Sequence, residues 1–142
     1  MKICFVLNEI KTEYCGTSVI IIRKALQRGH QVYVTEVGHF SFSNKDGLAL
    51  RCKKIPKNLN GKTVGEFWIQ VQDNRLKPEV VSAKEMDIIF LRNNPTEEGS
   101  NRQWARHSAL AFGRMIQKSG VLVLNDAIGM SQAFVDKLYF EE

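Results

Sequence analysis

The feature that most constrains this sequence is an unbroken run of four apolar residues, Ile88–Leu91 (IIFL). The run lacks the polar alternation of a half-exposed strand. It is typical of a strand buried on both faces, within a parallel sheet covered by helices. The run ends at Arg92, which is followed by two asparagines and Pro95. Because proline lacks an amide hydrogen and disfavours helical angles at the preceding residue, we expect an ordered turn directly after the strand.

Arg92 is the first candidate functional residue of the chain. Ligands of open α/β sheets bind beside the carboxyl ends of the strands, and this guanidinium stands where the predicted strand ends. Two structural alternatives stay open at this point: Arg92 could instead cap a neighbouring helix or pair with a structural carboxylate. We favour the ligand-binding role because the strand is predicted to be central.

Two other predicted strands also end in polar residues. Lys2–Leu7 (KICFVL) is followed by Asn8, and residues 121–124 (VLVL) are followed by Asn125 and Asp126. Like the strand before Arg92, both read as buried on both faces. If the three strands are parallel, their carboxyl ends lie at the same edge of the sheet. The sequence therefore predicts a binding rim made of the residues that follow these strands.

The first half of the chain predicts a βαβ unit and a hairpin. Residues 16–18 (GTS) open an amphipathic helix with a hydroxyl as its N-cap, and the helix runs to about Arg28 before a terminating glycine. A strand at residues 31–37 follows, with a right-handed crossover. Residues 40–43 and 48–55 then form a β-hairpin around an Asp-Gly turn.

The second half predicts an insert and then β-α-β-α. Residues 102–118 form the clearest amphipathic helix, and a last helix covers about residues 129–140. The polar segment 58–78 is left unassigned, and we expect this insert to lie over one edge of the sheet. Its apolar residues are Val64, Phe67, Trp68 and Ile69. The pattern predicts a single α/β domain over residues 1–142, a Rossmann-like three-layer sandwich whose mainly parallel sheet carries a β-hairpin insert.

Composition narrows the classes of protein. No apolar run approaches the roughly 18 residues of a membrane span, and the first residues enter a strand rather than a signal peptide, so we expect a cytoplasmic protein without a membrane partner. The three cysteines match no common zinc spacing. Cys15, before the first helix, is the cysteine that a helix amino end could activate.

The net charge of +5 has a local source between residues 51 and 62. The basic residues there are Arg51, Lys53, Lys54, Lys57 and Lys62. A basic patch can bind phosphate backbones, but this segment has no interleaved aromatic residues and no nucleic-acid-binding signature. We interpret it as solvated lysines on the hairpin, and nucleic acid is not an expected partner.

Catalytic motifs are missing from the sequence. It contains neither the dinucleotide fingerprint nor the P-loop, its three histidines are scattered, and its aspartates are not paired. No nucleophile, base and acid combine into a triad. The start of the first helix at residues 16–18 could hold an anion through backbone amides, although simple capping is the favoured interpretation. The sequence therefore predicts a binding rim with no catalytic residue and no metal ligand.

Five short segments of the chain follow one another in an order that carries a family resemblance. They are residues 3–9 (ICFVLNE), 25–30 (ALQRGH), 88–95 (IIFLRNNP), 123–126 (VLND) and 136–140 (DKLYF). This order resembles the amino-terminal, pre-ATP-grasp domain of bacterial glutathione synthetase, which precedes the ATP-grasp fold in carboxylate–amine ligases. In such enzymes ATP phosphorylates the carboxylate of γ-glutamylcysteine, and the amine of glycine attacks the acyl phosphate.

The resemblance implies a substrate-binding domain that is not catalytic by itself and holds no cofactor. ATP and Mg²⁺ would belong to an ATP-grasp domain, expected after residue 142 and otherwise supplied by a partner chain. The expected ligand is a small peptide. The matching positions are Arg92, Asn93 and Asn94 at the strand end and Ser18 at the first helix, and the predicted rim adds Asn8 and Asn125. A guanidinium suits a substrate carboxylate because its fork makes two parallel hydrogen bonds.

The chain departs from the family pattern at three places. Asn8 stands where the family often has aspartate, Asn94 stands where it favours an acidic residue, and Ala127 replaces a usual proline. These departures leave the exact substrate open. The oligomeric state is also open, and a homo-oligomer is one possibility. The sequence does not decide whether the chain is part of a longer ligase that was cut or a natural stand-alone domain. The alternative function is a stand-alone, non-catalytic docking domain of flavodoxin-like shape that uses the basic hairpin.

Overall fold

The computed structural model describes residues 1–43, 47–59, 63–73, 75–94 and 100–135. Within these ranges the chain forms strands and helices in an α/β arrangement, as predicted. The strands are β1 (Lys2–Leu7), β2 (Gln31–Glu36), β3 (Phe40–Ser43), β4 (Gly47–Lys54), β5 (Glu79–Ser82), β6 (Ile88–Leu91) and β7 (Leu122–Leu124). The α-helices are α1 (Thr17–Gln27), α2 (Val64–Gln72), α3 (Ala105–Lys118) and α4 (Ala127–Val135).

The sheet is mixed and not mainly parallel. Its order is β3-β4-β2-β1-β6-β7, with β5 also paired to β4. The neighbours β2, β1, β6 and β7 are parallel, whereas β4 pairs antiparallel with β2, β3 and β5. The predicted Rossmann-like parallel sandwich is therefore not confirmed, because β4 and its partners β3 and β5 add antiparallel strands to a curled sheet.

The two faces of the sheet carry two separate apolar cores. Alternate residues of β1 serve one core each: Phe5 packs with α1 and α2, whereas Cys4 and Val6 pack with α3. The ring of Phe40 in the hairpin stacks on Phe112 of α3, with centroids 3.9 Å apart. The predicted burial of β1 on both faces is confirmed, and this places its carboxyl end at the centre of the sheet.

Helix α1 begins after a glycine and not after a hydroxyl residue. Its N-cap is Gly16, without a side-chain hydrogen bond, so the predicted hydroxyl N-cap is wrong. Ser18 is instead buried inside the first turn, with 7% of its surface exposed. The predicted end is confirmed, since Gly29 has the positive φ of 83° that terminates many helices.

The unassigned segment contains helix α2. Thr63 and Glu66 form a capping box at its start, and the buried indole of Trp68 donates to the carbonyl of Glu13 at 2.9 Å. Phe67 and Trp68 pack into the core beside α1, whereas Ile69 is 67% exposed. Phe67 and Trp68 thus form the inner face of a short helix, which its T-x-x-E start could have indicated.

The last strand and the helices around it differ from the predictions. Leu122 and Leu124 of β7 are 55% and 37% exposed, so the predicted burial of β7 on both faces is wrong. The strand ends the sheet order, and one of its faces has no helix over it in the described ranges. Helix α3 begins at Ala105 because Ser100–Arg102 form a 3₁₀ turn, and α4 begins earlier than predicted, at Ala127.

Some predictions fall outside the described residues. These are the Asp-Gly turn of the hairpin before Gly47, the turn at Pro95 and the end of the last helix beyond Val135. Among the helices that the structure does describe, none combines the length and the apolar character that crossing a bilayer requires.

Gly113 of α3 tests the packing that fixes the end of β6. A Cβ built there would lie 2.9 Å from a methyl carbon of Leu91 and 3.0 Å from the Cβ of Ala127. Overpacking of this kind destabilises by about 1–3 kcal/mol, whereas helix propensity alone favours alanine over glycine by about 1 kcal/mol. We therefore expect Gly113→Ala to lower the free energy of unfolding, as measured by urea denaturation.

Gly65 of α2 provides the matched control. A Cβ there has no neighbour closer than 3.8 Å, so Gly65→Ala is expected to stabilise the chain by up to about 1 kcal/mol. Equal stabilisation by both substitutions would show that the packing around Gly113 is loose.

Candidate functional site

The polar ends of β1 and β6 are joined by a reciprocal pair of hydrogen bonds. The side chain of Asn8 donates to the carbonyl of Asn94 at 2.8 Å, and its Oδ1 accepts from the Asn94 amide at 2.6 Å. The predicted meeting of these two strand ends is confirmed. Since the bonds use both ends of the Asn8 carboxamide, this residue fixes the rim's shape.

The end of β7 joins the same rim. Asn125 has a positive φ of 55°, and its Nδ2 donates to the carbonyl of Leu91 at 2.6 Å. Asparagine tolerates this left-handed conformation better than most residues do. The side-chain carboxamide of Asn125 therefore connects the end of β7 to β6. The three predicted strand ends thus form one continuous edge.

Arg92 lies on the α1 side of this edge. Its backbone amide extends the sheet by donating to Val6 at 2.8 Å, and its guanidinium lies over the ring of Phe90, 5.7 Å from the centroid. Its Nε donates to the hydroxyl of Ser18 at 3.3 Å, which is a long hydrogen bond. The structure thus brings together the predicted pair Arg92 and Ser18. Arg92 forms no ion pair with any described carboxylate, so the structural ion-pair alternative is not supported.

Asn93 presents a buried carboxamide with unused hydrogen-bonding capacity. Only 4% of the residue is exposed, and neither its Nδ2 nor its Oδ1 has a partner among the described residues. A buried polar group without a partner costs about 1–3 kcal/mol, and such groups are rare in folded proteins. The carboxamide next to Arg92 therefore has a donor and an acceptor that no described residue uses.

The sequence interpretation missed a second arginine at the rim. Arg102 forms an ion pair with Glu9 and donates to the carbonyl of Asn8 at 3.2 Å. Its guanidinium also lies 5.6 Å from the ring centre of Trp104, which is 59% exposed. Gly38 allows this position, because a Cβ there would collide with the indole. The sequence pattern places Arg102 in a helix, and no local signal links it to Glu9, 93 positions away.

Asp126 serves the start of α4. One carboxylate oxygen accepts from the Gly129 amide at 2.6 Å and the other accepts from the Gln117 side chain at 2.7 Å. These bonds, the one from Gln117 above all, lower the pKa of the Asp126 carboxyl from its ordinary value of 3.8. This residue therefore acts as a helix cap that also ties α4 to α3.

The described residues do not fit a metal centre. They include no cluster of three or more histidine, cysteine, aspartate or glutamate side chains that could hold an ion. Glu9, which follows Asn8, is engaged by Arg102.

Residues 1–130 match the model of the prokaryotic glutathione synthetase, N-terminal domain. The chain belongs to this family. A comparison with curated proteins found no match. The resemblance seen in the sequence is thus confirmed.

The glutathione synthetase match includes every strand of the sheet and the whole rim. It begins before β1 and ends inside α4, so Arg92, Asn93, Arg102 and Asn125 all lie within it. The match supports a glutathione-synthetase-like ligase domain as the class of this protein.

The cap at Asp126 predicts how stability depends on pH. Because the folded state lowers the pKa of the Asp126 carboxyl, its stabilising effect is complete above the ordinary value of 3.8 and is lost as the pH falls through the lower folded value. We expect Asp126→Asn to lower stability at neutral pH and to flatten its decline below about pH 4. Urea unfolding midpoints at a series of pH values measure both effects.

Exposed Glu79 on β5 provides the control, as Glu79→Gln. An acid-side profile for Asp126→Asn that is as steep as those of the control and the original chain would contradict the capping role.

Proposed function

We propose that this chain is the substrate-binding N-terminal domain of a glutathione-synthetase-like ligase, which joins γ-glutamylcysteine to glycine with ATP. The domain is not catalytic by itself. Family membership supports the ligase class. The observation that carries substrate binding is the half-buried guanidinium of Arg92, which lies at the meeting of three strand ends without a carboxylate partner among the described residues.

Arg92 is held by contacts that leave its fork available. The Phe90 ring and the Ser18 hydroxyl engage its plane and its Nε, whereas its two terminal nitrogens donate to no described residue. A carboxylate that accepts from both terminal groups gains a bidentate, charge-assisted pair. Since the side chain is already positioned, little conformational entropy is lost when the ligand binds.

The neighbouring Asn93 suits the rest of a peptide. Its carboxamide offers one donor group and one acceptor, the same complement that a peptide group requires. γ-Glutamylcysteine has carboxylates as well as a peptide group. Arg92 and Asn93 together therefore match its chemistry. Asn8, Asn94 and Asn125 contribute by holding the strand ends in place.

The proposal assigns ATP and Mg²⁺ to an ATP-grasp domain, supplied by the same polypeptide or by a partner chain. That domain would complete the cleft and supply the chemistry of carboxylate activation. The residues of this chain would bind and orient the peptide. A cytoplasmic location belongs to the same proposal.

The contacts of the lysines in the basic hairpin weaken the case for the alternative docking function. Nζ of Lys53 donates to the carbonyls of Val71 and Asp73, each at 3.4 Å, at the end of α2. Burial is the main cause that lowers the pKa of Lys53. Lys54 lies over the ring of Tyr33. Two of the patch's cations therefore have structural contacts, which favours the substrate-binding proposal.

Replacing Arg92 tests the proposal directly. We expect Arg92→Ala to weaken the binding of γ-glutamylcysteine about 10- to 100-fold, the effect of losing charged hydrogen bonds worth about 1.5–3 kcal/mol. Isothermal titration calorimetry on the 142-residue chain measures the affinity. Arg51→Ala, an exposed arginine on β4, is the matched control and should leave the affinity unchanged. Equal affinities for both variants would remove Arg92 from the site.

ATP turnover tests the non-catalytic part of the proposal. With γ-glutamylcysteine, glycine and Mg²⁺ present, the purified chain is expected to release no phosphate above the rate of a blank. A coupled phosphate assay measures this. Turnover that persists after rechromatography and follows the protein peak would contradict the assignment of ATP chemistry to another domain.

A further inference from the structure

A groove of about 350 Å³ runs between α1 and the sheet. It lies on the α1 side, because the sheet residues that line it alternate with those packed under α3. Its apolar lining includes Phe5, Ile20, Ile21, Ile88, Phe90 and Leu124. None of the rim residues Asn8, Arg92 and Asn125 is in the described lining of the groove. Phe90 connects the two places, since it lines the groove and lies under the Arg92 guanidinium.

The apolar surface continues past the groove to the edge of the sheet. Ile20 is 53% exposed on α1, and Leu122 and Leu124 are 55% and 37% exposed on β7. In the described ranges α1 and α2 cover β1 and β2 on this side, and no helix covers β6 and β7. Sheets of this class normally have helices over their parallel strands, so a helix is the element expected at the uncovered place.

The charged side chains among the described lining of the groove have one sign. Ile20, Lys24 and Arg28 are spaced four residues apart, so they form a single row along α1, and all three line the groove. His30 stands at the end of the row. Among the described residues, no carboxylate lines the groove. A neighbour lying beside α1 must therefore be apolar toward the sheet and acidic along the edge that faces Lys24 and Arg28.

We propose that this surface docks a helix of a partner polypeptide, apolar on one side and acidic along one edge. The four residues of β6 extend about 13 Å, a length that about nine residues of α-helix match. A second copy of the chain fits less well, because docking α1 against α1 brings two rows of Lys24 and Arg28 together. The inference does not depend on the proposed ligase substrate.

Designed peptides test the docking. One amphipathic peptide of about 14 residues carries leucines on one face and glutamates along its edge, and its isomer carries lysines in place of the glutamates. Fluorescence anisotropy measures their binding to the chain. We expect the acidic peptide to bind at least tenfold more tightly than the basic one, and this preference to weaken as salt is raised.

Variants of the groove locate the site. Leu124→Glu should reduce binding of the acidic peptide at least tenfold, and the double substitution Lys24→Glu with Arg28→Glu should reverse the preference between the peptides. The controls are Ile69→Glu, an exposed apolar residue on α2, and Lys84→Glu with Lys118→Glu, two exposed lysines outside the groove. Circular dichroism verifies that each variant is folded.

Three results would overturn the proposal. The two peptides could bind equally, Leu124→Glu could change nothing, or sedimentation could show a dimer of the chain that Leu124→Glu dissociates. The last result would assign the surface to a second copy instead of an acidic partner helix.

Discussion

The parallel pairing of β1 with both of its neighbours is the constraint on which the rest of the structure depends. Leu7 lies level with Glu36 of β2, and Val6 lies level with Leu91 of β6. Because the register sets which residues lie side by side, β1 and β6 end level with each other at the same edge of the sheet. The Arg92 amide then continues the ladder by bonding to Val6. The rim is a direct result of this register, and a shift of one residue would turn Arg92 to the opposite face.

The same alternation divides β6 between two tasks. Ile89 and Leu91 are fully buried under α3, where they stabilise the fold. Ile88 and Phe90 face the other side, where they are only partly buried and line the groove beside α1. Arg92 follows Phe90 on that side and lies over its ring. One strand therefore contributes to the core with its odd-numbered residues and to two surfaces with its even-numbered ones.

The sequence predicted those parts of the fold that have a local signal. Unbroken apolar runs indicated β1 and β6, and the amphipathic pattern with a terminal glycine indicated α1. The pairing partners of β4 have no local signal, because a strand's sequence does not state whether its neighbour is parallel or antiparallel. The same reason explains β7: the run VLVL resembles a buried strand, but its position at the end of the sheet exposes one face.

The site follows the same division between local and distant causes. Arg92, Asn8 and Asn125 could be predicted because each directly follows a strand. Glu9 and Arg102 could not be predicted as a pair, because folding alone brings them together. The lack of a partner for Asn93 among the described residues is also a tertiary property, since it depends on which groups the neighbouring segments bring close.

The departures at residues 8 and 94 have a structural explanation. An aspartate at position 8 could accept from the Asn94 amide, as Asn8 does, but its ionised carboxylate could not donate to the Asn94 carbonyl. Asparagine makes both bonds and closes the junction without a charge.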